Sequence, residues 1–298
     1  LMLLGFNEYE AQARHLAEAL GLPYEGVGVH HFPDGECKVS LPEKLPVHVV
    51  FCRSLDHPND KLIQLLLAAT SARELGARRL TLVTPYLCYM RQDKAFTVGE
   101  AISQRIIGRF LAGLFDDVIT VDPHLHRTHA LADAVPATHA VALSATAAMR
   151  DFLHSFYNAR PQSHANTILV GPDSESEQWV RSLAEADDLT YGVARKERMG
   201  DRKIRITLPD LDLAAKAVIL VDDVISSGET IAIAAQACLQ RGAQRVDVLV
   251  THPLFAQGSI ERIRQAGVEE IWSTDSISHP SNCIALTSLI AGAVQSIT

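Results

Sequence analysis

The chain has 298 residues, 47% hydrophobic and 21% charged, a size and composition that suit about two soluble domains, each able to bury its own core. A formal net charge of −8 argues against a general nucleic-acid or membrane surface, so any anionic ligand must meet locally clustered cations. No apolar run reaches membrane-span length, and the opening Leu-Met-Leu-Leu has neither the basic flank nor the cleavage site of an export signal, so a cytoplasmic protein is expected.

In chain order, apolar periodicity and turn residues predict a helix over 8–20, a strand over 47–52, a helix over 60–75 and a strand over 80–83. A helix over 102–114, a strand over 117–121, a helix over 144–156, a strand over 167–170 and a helix over 177–186 follow. The series closes with a strand over 217–221, a helix over 229–240 and a strand over 246–250. Such alternation implies an α/β protein with mainly parallel sheets flanked by helices. An internal echo sets the domain count. Ala68-Ala69, six residues and Gly76-Ala77 recur 166 positions later as Ala234-Ala235, six residues and Gly242-Ala243, each time as a helix end before an apolar strand. Two similar domains are therefore expected, over 1–140 and 141–298, with the boundary in 138–144, where Ser144 is placed to cap a new helix. The five cysteines are odd in number and mostly in apolar contexts, which favours buried free thiols over disulfides or zinc.

The most chemically suggestive segment is 217–230, AVILVDDVISSGET. An apolar strand there runs into two carboxylates, Asp222 and Asp223, then a turn of Ser226, Ser227 and Gly228, then a helix start at Glu229 and Thr230. At the carboxyl end of a parallel strand this arrangement suits a sugar phosphate, with N–H groups for the phosphate and carboxylates for neutral hydroxyls. A simple helix cap after a solvated strand end is the alternative. Residues 86–94 place Arg91 and Gln92 after the 80–83 strand, where they would serve a nucleotide, or form a solvated loop. His124 and Asp173 follow two further strands and are candidate partners of a divalent ion, with capping or packing as the other reading for His124. Phe32-Pro33-Asp34-Gly35-Glu36 reads as a turn whose Phe could stack on a base. Residues 195–203 hold five cations, among them Lys196 and Arg198, either as a plain hairpin or as a loop that closes on phosphoryl charge.

In this order the motifs resemble those of the ribose-phosphate diphosphokinases, the synthetases of phosphoribosyl pyrophosphate, over nearly the whole chain. Phe32 to Glu36, Asn59-Asp60-Lys61-Leu62, Arg91-Gln92-Asp93, Asp122-Pro123-His124, Pro172-Asp173, Lys196-Glu197-Arg198, the Asp222 to Thr230 cradle and Thr251-His252-Pro253 carry the likeness. It implies a type I phosphoribosyltransferase-like fold in both domains, with the last helix packing back on the first. It implies ATP contacts from Arg91, Gln92 and His124, and adenine contacts from Phe32, Asp34 and Glu36 of a neighbouring subunit, hence a dimer-based homo-oligomer with its ATP site at a subunit interface. His124 and Asp173 would serve Mg2+. Asp222, Asp223, Ser226, Ser227, Gly228, Glu229 and Thr230 would hold ribose 5-phosphate, while Lys196 and Arg198 would be catalytic. The implied reaction is magnesium-dependent diphosphate transfer from ATP to the ribose 1-hydroxyl. A phosphoribosyltransferase and a non-catalytic regulatory paralogue are the competing readings.

Three segments depart from the family pattern. Ser174-Glu175-Ser176-Glu177 stands where small glycine-rich residues are usual, Glu229 stands where the phosphate loop has glycine, and His126-Arg127-Thr128-His129 replaces a Gln-rich stretch. The short catalytic loop is nearer the archaeal-type members.

Overall fold

The computed structural model describes residues 1–125, 128, 130–158, 166–198 and 204–298. Two compact units divide the chain: Leu1–Ser144 with Ser276–Ser278 and Leu286–Thr298, and Ala145–Asp275 with His279–Ala285.

The first unit holds β1 (Met2–Gly5), β2 (Tyr24–Gly26), a hairpin of β3 (Gly28–His31) and β4 (Cys37–Ser40), β5 (His48–Cys52), β6 (Arg79–Val83), β7 (Asp117–Val121) and β8 (His139–Leu143). Outside the hairpin these strands form one parallel sheet in the order β2-β1-β5-β6-β7-β8. Every residue of β7 is buried, the signature of a strand covered on both faces. Helices α1 (Glu10–Leu20), α2 (Pro58–Glu74), α3 (Ser103–Leu114) and α4 (Leu131–Ala134) connect the strands. Leu65, Ala68, Ala69 and Ala72 of α2 pack into a core that includes Phe51 and Phe115, whose rings meet edge to face at 5.7 Å. Gly108 lets α3 approach α4, since a Cβ there would lie 1.8 Å from the Ala134 carbonyl oxygen.

At the amino end of this sheet the buried Asp117 carboxylate joins three strands. It accepts from Arg79 Nε at 2.8 Å and the Thr81 hydroxyl at 2.7 Å, and hydrogen-bonds His139 Nδ1 at 2.6 Å.

The second unit repeats the plan with β9 (Thr167–Gly171), β10 (Thr190–Val193), a hairpin of β11 (Arg195–Arg198) and β12 (Ile204–Thr207), β13 (Ala217–Ile225), β14 (Arg245–Pro253), β15 (Val268–Thr274) and β16 (Asn282–Ile284). Its parallel sheet runs β10-β9-β13-β14-β15-β16, strand for strand the topology of the first, and in both the hairpin falls between the second and third sheet strands. The echo at Gly76 and Gly242 is thus one trace of a repeat that places β6 and β14 identically. Helices α5 (Thr146–Asn158), α6 (Glu177–Asp187), α7 (Glu229–Gln240) and α8 (Ser259–Gln265) accompany this sheet. The final helix, α9 (Thr287–Ile297), belongs to the first unit and packs on α1.

Several expectations change. The strand expected over 217–221 continues to Ile225, because Val224 and Ile225 stay in register with His252 and Pro253 of β14. Asp222 and Asp223 therefore lie inside a strand, where apolar runs alone placed them after it. The boundary segment 138–144 contains strand β8, an edge strand whose partial exposure leaves a weak apolar signal. Strands β1, β2, β10, β15 and β16 were not expected; most are short, and β15 is interrupted by Glu269 and Glu270. The first helix begins with a 3-10 turn at Asn7–Tyr9. Of the cysteines, Cys52, Cys88 and Cys238 are buried, Cys37 is half-buried and Cys283 exposed.

Candidate active site

In the second unit, β13 carries Asp222 and Asp223 toward the turn that opens α7. Alternation along the strand buries Asp223, which is 2% exposed, and leaves Asp222 half-buried. Asp222 accepts from the Asp223 backbone N–H at 3.0 Å. Burial, then the Asp223 and Asp173 carboxylates, raise the Asp222 carboxyl well above the ordinary carboxylate range. Three carboxylates in mutual repulsion form a site that favours a cation or hydroxyl donors.

The turn itself is fixed from behind. The carbonyl of Ile225 accepts from Phe255 N–H at 3.0 Å, that of Ser226 from Ala256 N–H at 2.9 Å, and that of Ser227 from the Arg262 guanidinium. In a trans peptide the N–H points opposite to the C=O, and among the described residues there is no cis peptide bond. The N–H groups of Ser226, Ser227 and Gly228 accordingly face away from the donors at 255, 256 and 262. Gly228 completes the turn at φ +71°, and a Cβ there would sit 2.9 Å from Ile263 Cδ1. Three successive amides left without a partner on 255–262, directly before a helix N-terminus, suit an anion cradle. Ser226 and Thr230 are half-buried, whereas Ser227 and Glu229 are exposed. Glu229 is the first residue of α7, and its backbone N–H meets Ser227 Oγ at 3.4 Å.

Asp173, at the carboxyl end of β9, is buried. One of its oxygens accepts from Glu175 N–H at 3.1 Å and the other from Lys196 Nζ at 3.3 Å. Lys196 lies on β11, so this contact joins the hairpin to the sheet edge. The unusual 174–177 segment forms a 3-10 turn leading into α6. Ser176 turns inward to bond the Asp173 carbonyl at 2.6 Å, and Glu175 and Glu177 point to solvent. Arg198 ends β11; its side chain lies outside the described residues, as do 199–203 and the departure at His126, Arg127 and His129.

In the first unit the Phe32 to Glu36 turn is closed by Phe32 N–H to the Glu36 carbonyl at 2.8 Å and by Glu36 N–H to Asp34 at 3.1 Å. Phe32 is exposed, with His30 edge-on at 4.9 Å. Arg91 is exposed and Gln92 half-buried, its amide donating to the Lys94 carbonyl at 3.1 Å. This loop follows β6, and half-buried His124 follows the neighbouring β7, so both leave the same edge of the sheet. Asp122, just before His124, has φ +37°. The buried Gln104 at the start of α3 ties this edge together, donating to the Met90 carbonyl at 3.1 Å and accepting from the Thr128 hydroxyl at 3.1 Å. Sequence reading passed over Gln104 and Arg262, since a lone polar residue on a helix carries no sign of a distant backbone partner.

Among the described residues no three His, Cys, Asp or Glu side chains converge as a metal cage. The Asp173 carboxylate still fits a magnesium ion delivered on a polyphosphate, which keeps water and phosphate oxygens and needs only one or two protein carboxylates.

The fold and the cradle together define a class: a duplicated α/β protein of the type I phosphoribosyltransferase kind. Phosphoribosylpyrophosphate synthetase from Mycobacterium smegmatis has the same fold, with a TM-score of 0.83, 22% identity, and coverage of 99% of this chain and 98% of that one. Residues 1–114 match the N-terminal domain of ribose phosphate pyrophosphokinase, and 197–297 the phosphoribosyl synthetase-associated domain. Ribose-phosphate pyrophosphokinase of Methanopyrus kandleri is 30% identical over 299 residues, all of both chains, and Ribose-phosphate pyrophosphokinase 2 of Archaeoglobus fulgidus is 31% identical over 94% of each. The chain belongs to the ribose-phosphate pyrophosphokinase family.

Proposed function

We propose that the protein transfers diphosphate from ATP to the 1-hydroxyl of ribose 5-phosphate in a magnesium-dependent reaction, giving phosphoribosyl pyrophosphate and AMP. The observation that carries this reading is the turn that follows the Asp222 and Asp223 carboxylates: its three successive carbonyls are bonded from one side, which turns the amides of the same peptides to the other. The turn and the α7 N-terminus bind the 5-phosphate, and Asp222 and Asp223 accept hydrogen bonds from ribose hydroxyls. The ribose 1-oxygen attacks the β-phosphorus; the bond to the bridging oxygen of AMP breaks, and the hydroxyl proton passes to solvent. Lys196 and Arg198 stabilise charge as it spreads over the transferring group. His124 and Asp173 would be the protein partners of magnesium, whose charge would offset that of the polyphosphate. Arg91 and Gln92 hold ATP, and Phe32, Asp34 and Glu36 reach the adenine of a neighbouring subunit in a dimer-based oligomer.

The test is AMP release from ATP with ribose 5-phosphate, ribose 1-phosphate or no sugar, with and without chelator. AMP is expected only with ribose 5-phosphate and free magnesium. A protein that makes AMP in none of these mixtures refutes the proposal.

A further inference from the structure

We infer that Arg262 is a positioning residue for 5-phosphate recognition, acting on the phosphate loop from the side opposite the ligand. The inference rests on the ribose-phosphate reading of the loop and adds a residue outside every motif that suggested it. Arg262 lies on α8, and its guanidinium donates to the Ser227 carbonyl. That carbonyl belongs to the same peptide as the Gly228 N–H, so a donor on the oxygen fixes which way the amide points. It also polarises the peptide, and a cation does so more strongly than a neutral donor, making the Gly228 N–H a better donor to an anion.

The other two peptides of the turn are held by backbone donors, Phe255 and Ala256, which no side-chain substitution removes. Ser227 alone depends on a side chain. Its peptide adjoins the residue at φ +71°, where a flip would be easiest because glycine tolerates both hands. Beneath it, Ile263 Cδ1 and the Ser259 carbonyl oxygen would lie 2.9 and 3.1 Å from a Cβ on Gly228, so α8 is a close-fitting floor for the loop. The Arg262 charge also opposes that of Glu229, the exposed acid at the start of α7. This chain thus places a carboxylate at the mouth of its phosphate loop and a guanidinium behind it.

The experiment measures binding of ribose 5-phosphate, inorganic phosphate and ATP to the full chain by calorimetry, for wild type, Arg262→Ala, Arg262→Gln and Arg262→Lys, with steady-state kinetics beside it. Arg262→Ala should weaken both ribose 5-phosphate and inorganic phosphate about tenfold, the loss expected for one charge-assisted hydrogen bond. ATP affinity and kcat should change less than about twofold, since the loop binds ground and transition states alike and the loss appears in KM. Arg262→Lys should recover most of the affinity and Arg262→Gln only part of it, which separates the charge from the hydrogen bond. Equal affinities in wild type and Arg262→Ala overturn the inference. So does parallel loss of ATP and sugar-phosphate binding, which is the mark of a merely structural role. If wild type binds inorganic phosphate but not ribose 5-phosphate, the proposed function fails and the phosphate series still decides the role of Arg262. Wild type that binds neither overturns both.

Discussion

Lys196 and Glu229 illustrate how much of this site depends on single charges. Lys196 reaches Asp173 at 3.3 Å while still a quarter exposed, at 24% of its side-chain surface, so its ammonium is free to exchange that carboxylate for phosphate oxygens. In the proposed transfer its cation acts on charge that develops in the transition state, so Lys196→Ala should lower kcat by about a thousandfold with ATP affinity nearly intact. Comparable loss of nucleotide binding in a titration would assign it to ground-state binding instead. Glu229 has the opposite character. An acid at a helix N-terminus is favoured by the helix dipole, yet a phosphate there competes for the same field. Glu229→Gly should lower KM for ribose 5-phosphate roughly fivefold at unchanged kcat, the effect of about 1 kcal/mol of repulsion relieved. An unaltered KM would mean that the exposed carboxylate stays clear of the ligand.

Among elements, the amino end of the first sheet turns on one buried carboxylate, Asp117. Burial alone would raise the Asp117 carboxyl, but hydrogen bonds from Arg79, Thr81 and His139 outweigh it and hold the group below the ordinary carboxylate range. Through Asp117 the strands β6, β7 and β8 share one anchor. Replacing it with Asn leaves the Arg79 charge without its carboxylate, and should cost about 3 kcal/mol in urea denaturation of the full chain. The sign with pH follows from the depressed value. The stabilisation is present above the unfolded-state carboxylate range and is lost as pH falls through the folded value, so wild type and Asp117→Asn should converge in acid. A gap that persists at low pH would attribute the loss to packing.

At the scale of the molecule, two units with the same topology carry different chemistry at the carboxyl ends of their strands. The third sheet strand of one unit, β13, holds Asp222 and Asp223, whereas β5 of the other runs into Arg53, which is buried. Arg53 bonds Glu8 at 2.6 Å and stands over the Phe6 ring at 3.9 Å. The sheet edge that carries paired carboxylates in one copy is thus occupied by an internal ion pair in the other. Ligand effects should divide accordingly. In hydrogen exchange, ribose 5-phosphate should protect 217–240 and 254–263, and magnesium-ATP should protect 84–92. Protection of 53–61 by the sugar phosphate would contradict the division of roles.

The sequence by itself determined the alternation of strand and helix, the twofold repeat and the contiguous part of the site. From Ala217 to Gln240 one continuous segment supplies strand, carboxylates, turn and helix, so its local pattern is nearly its structure. The Phe32 to Glu36 turn was legible for the same reason, since Pro, Asp and Gly specify it locally. Tertiary structure decided what depends on distant partners. It carried β13 four residues beyond the apolar run because β14 continues to pair with it. It gave Asp173 to Lys196 across 23 residues, tied Gln104 to the Met90 carbonyl, and brought Arg262 to the Ser227 carbonyl across 35. A hydrogen bond to a backbone carbonyl leaves no trace in the partner's residue type, so no pattern of side chains could have announced the last of these.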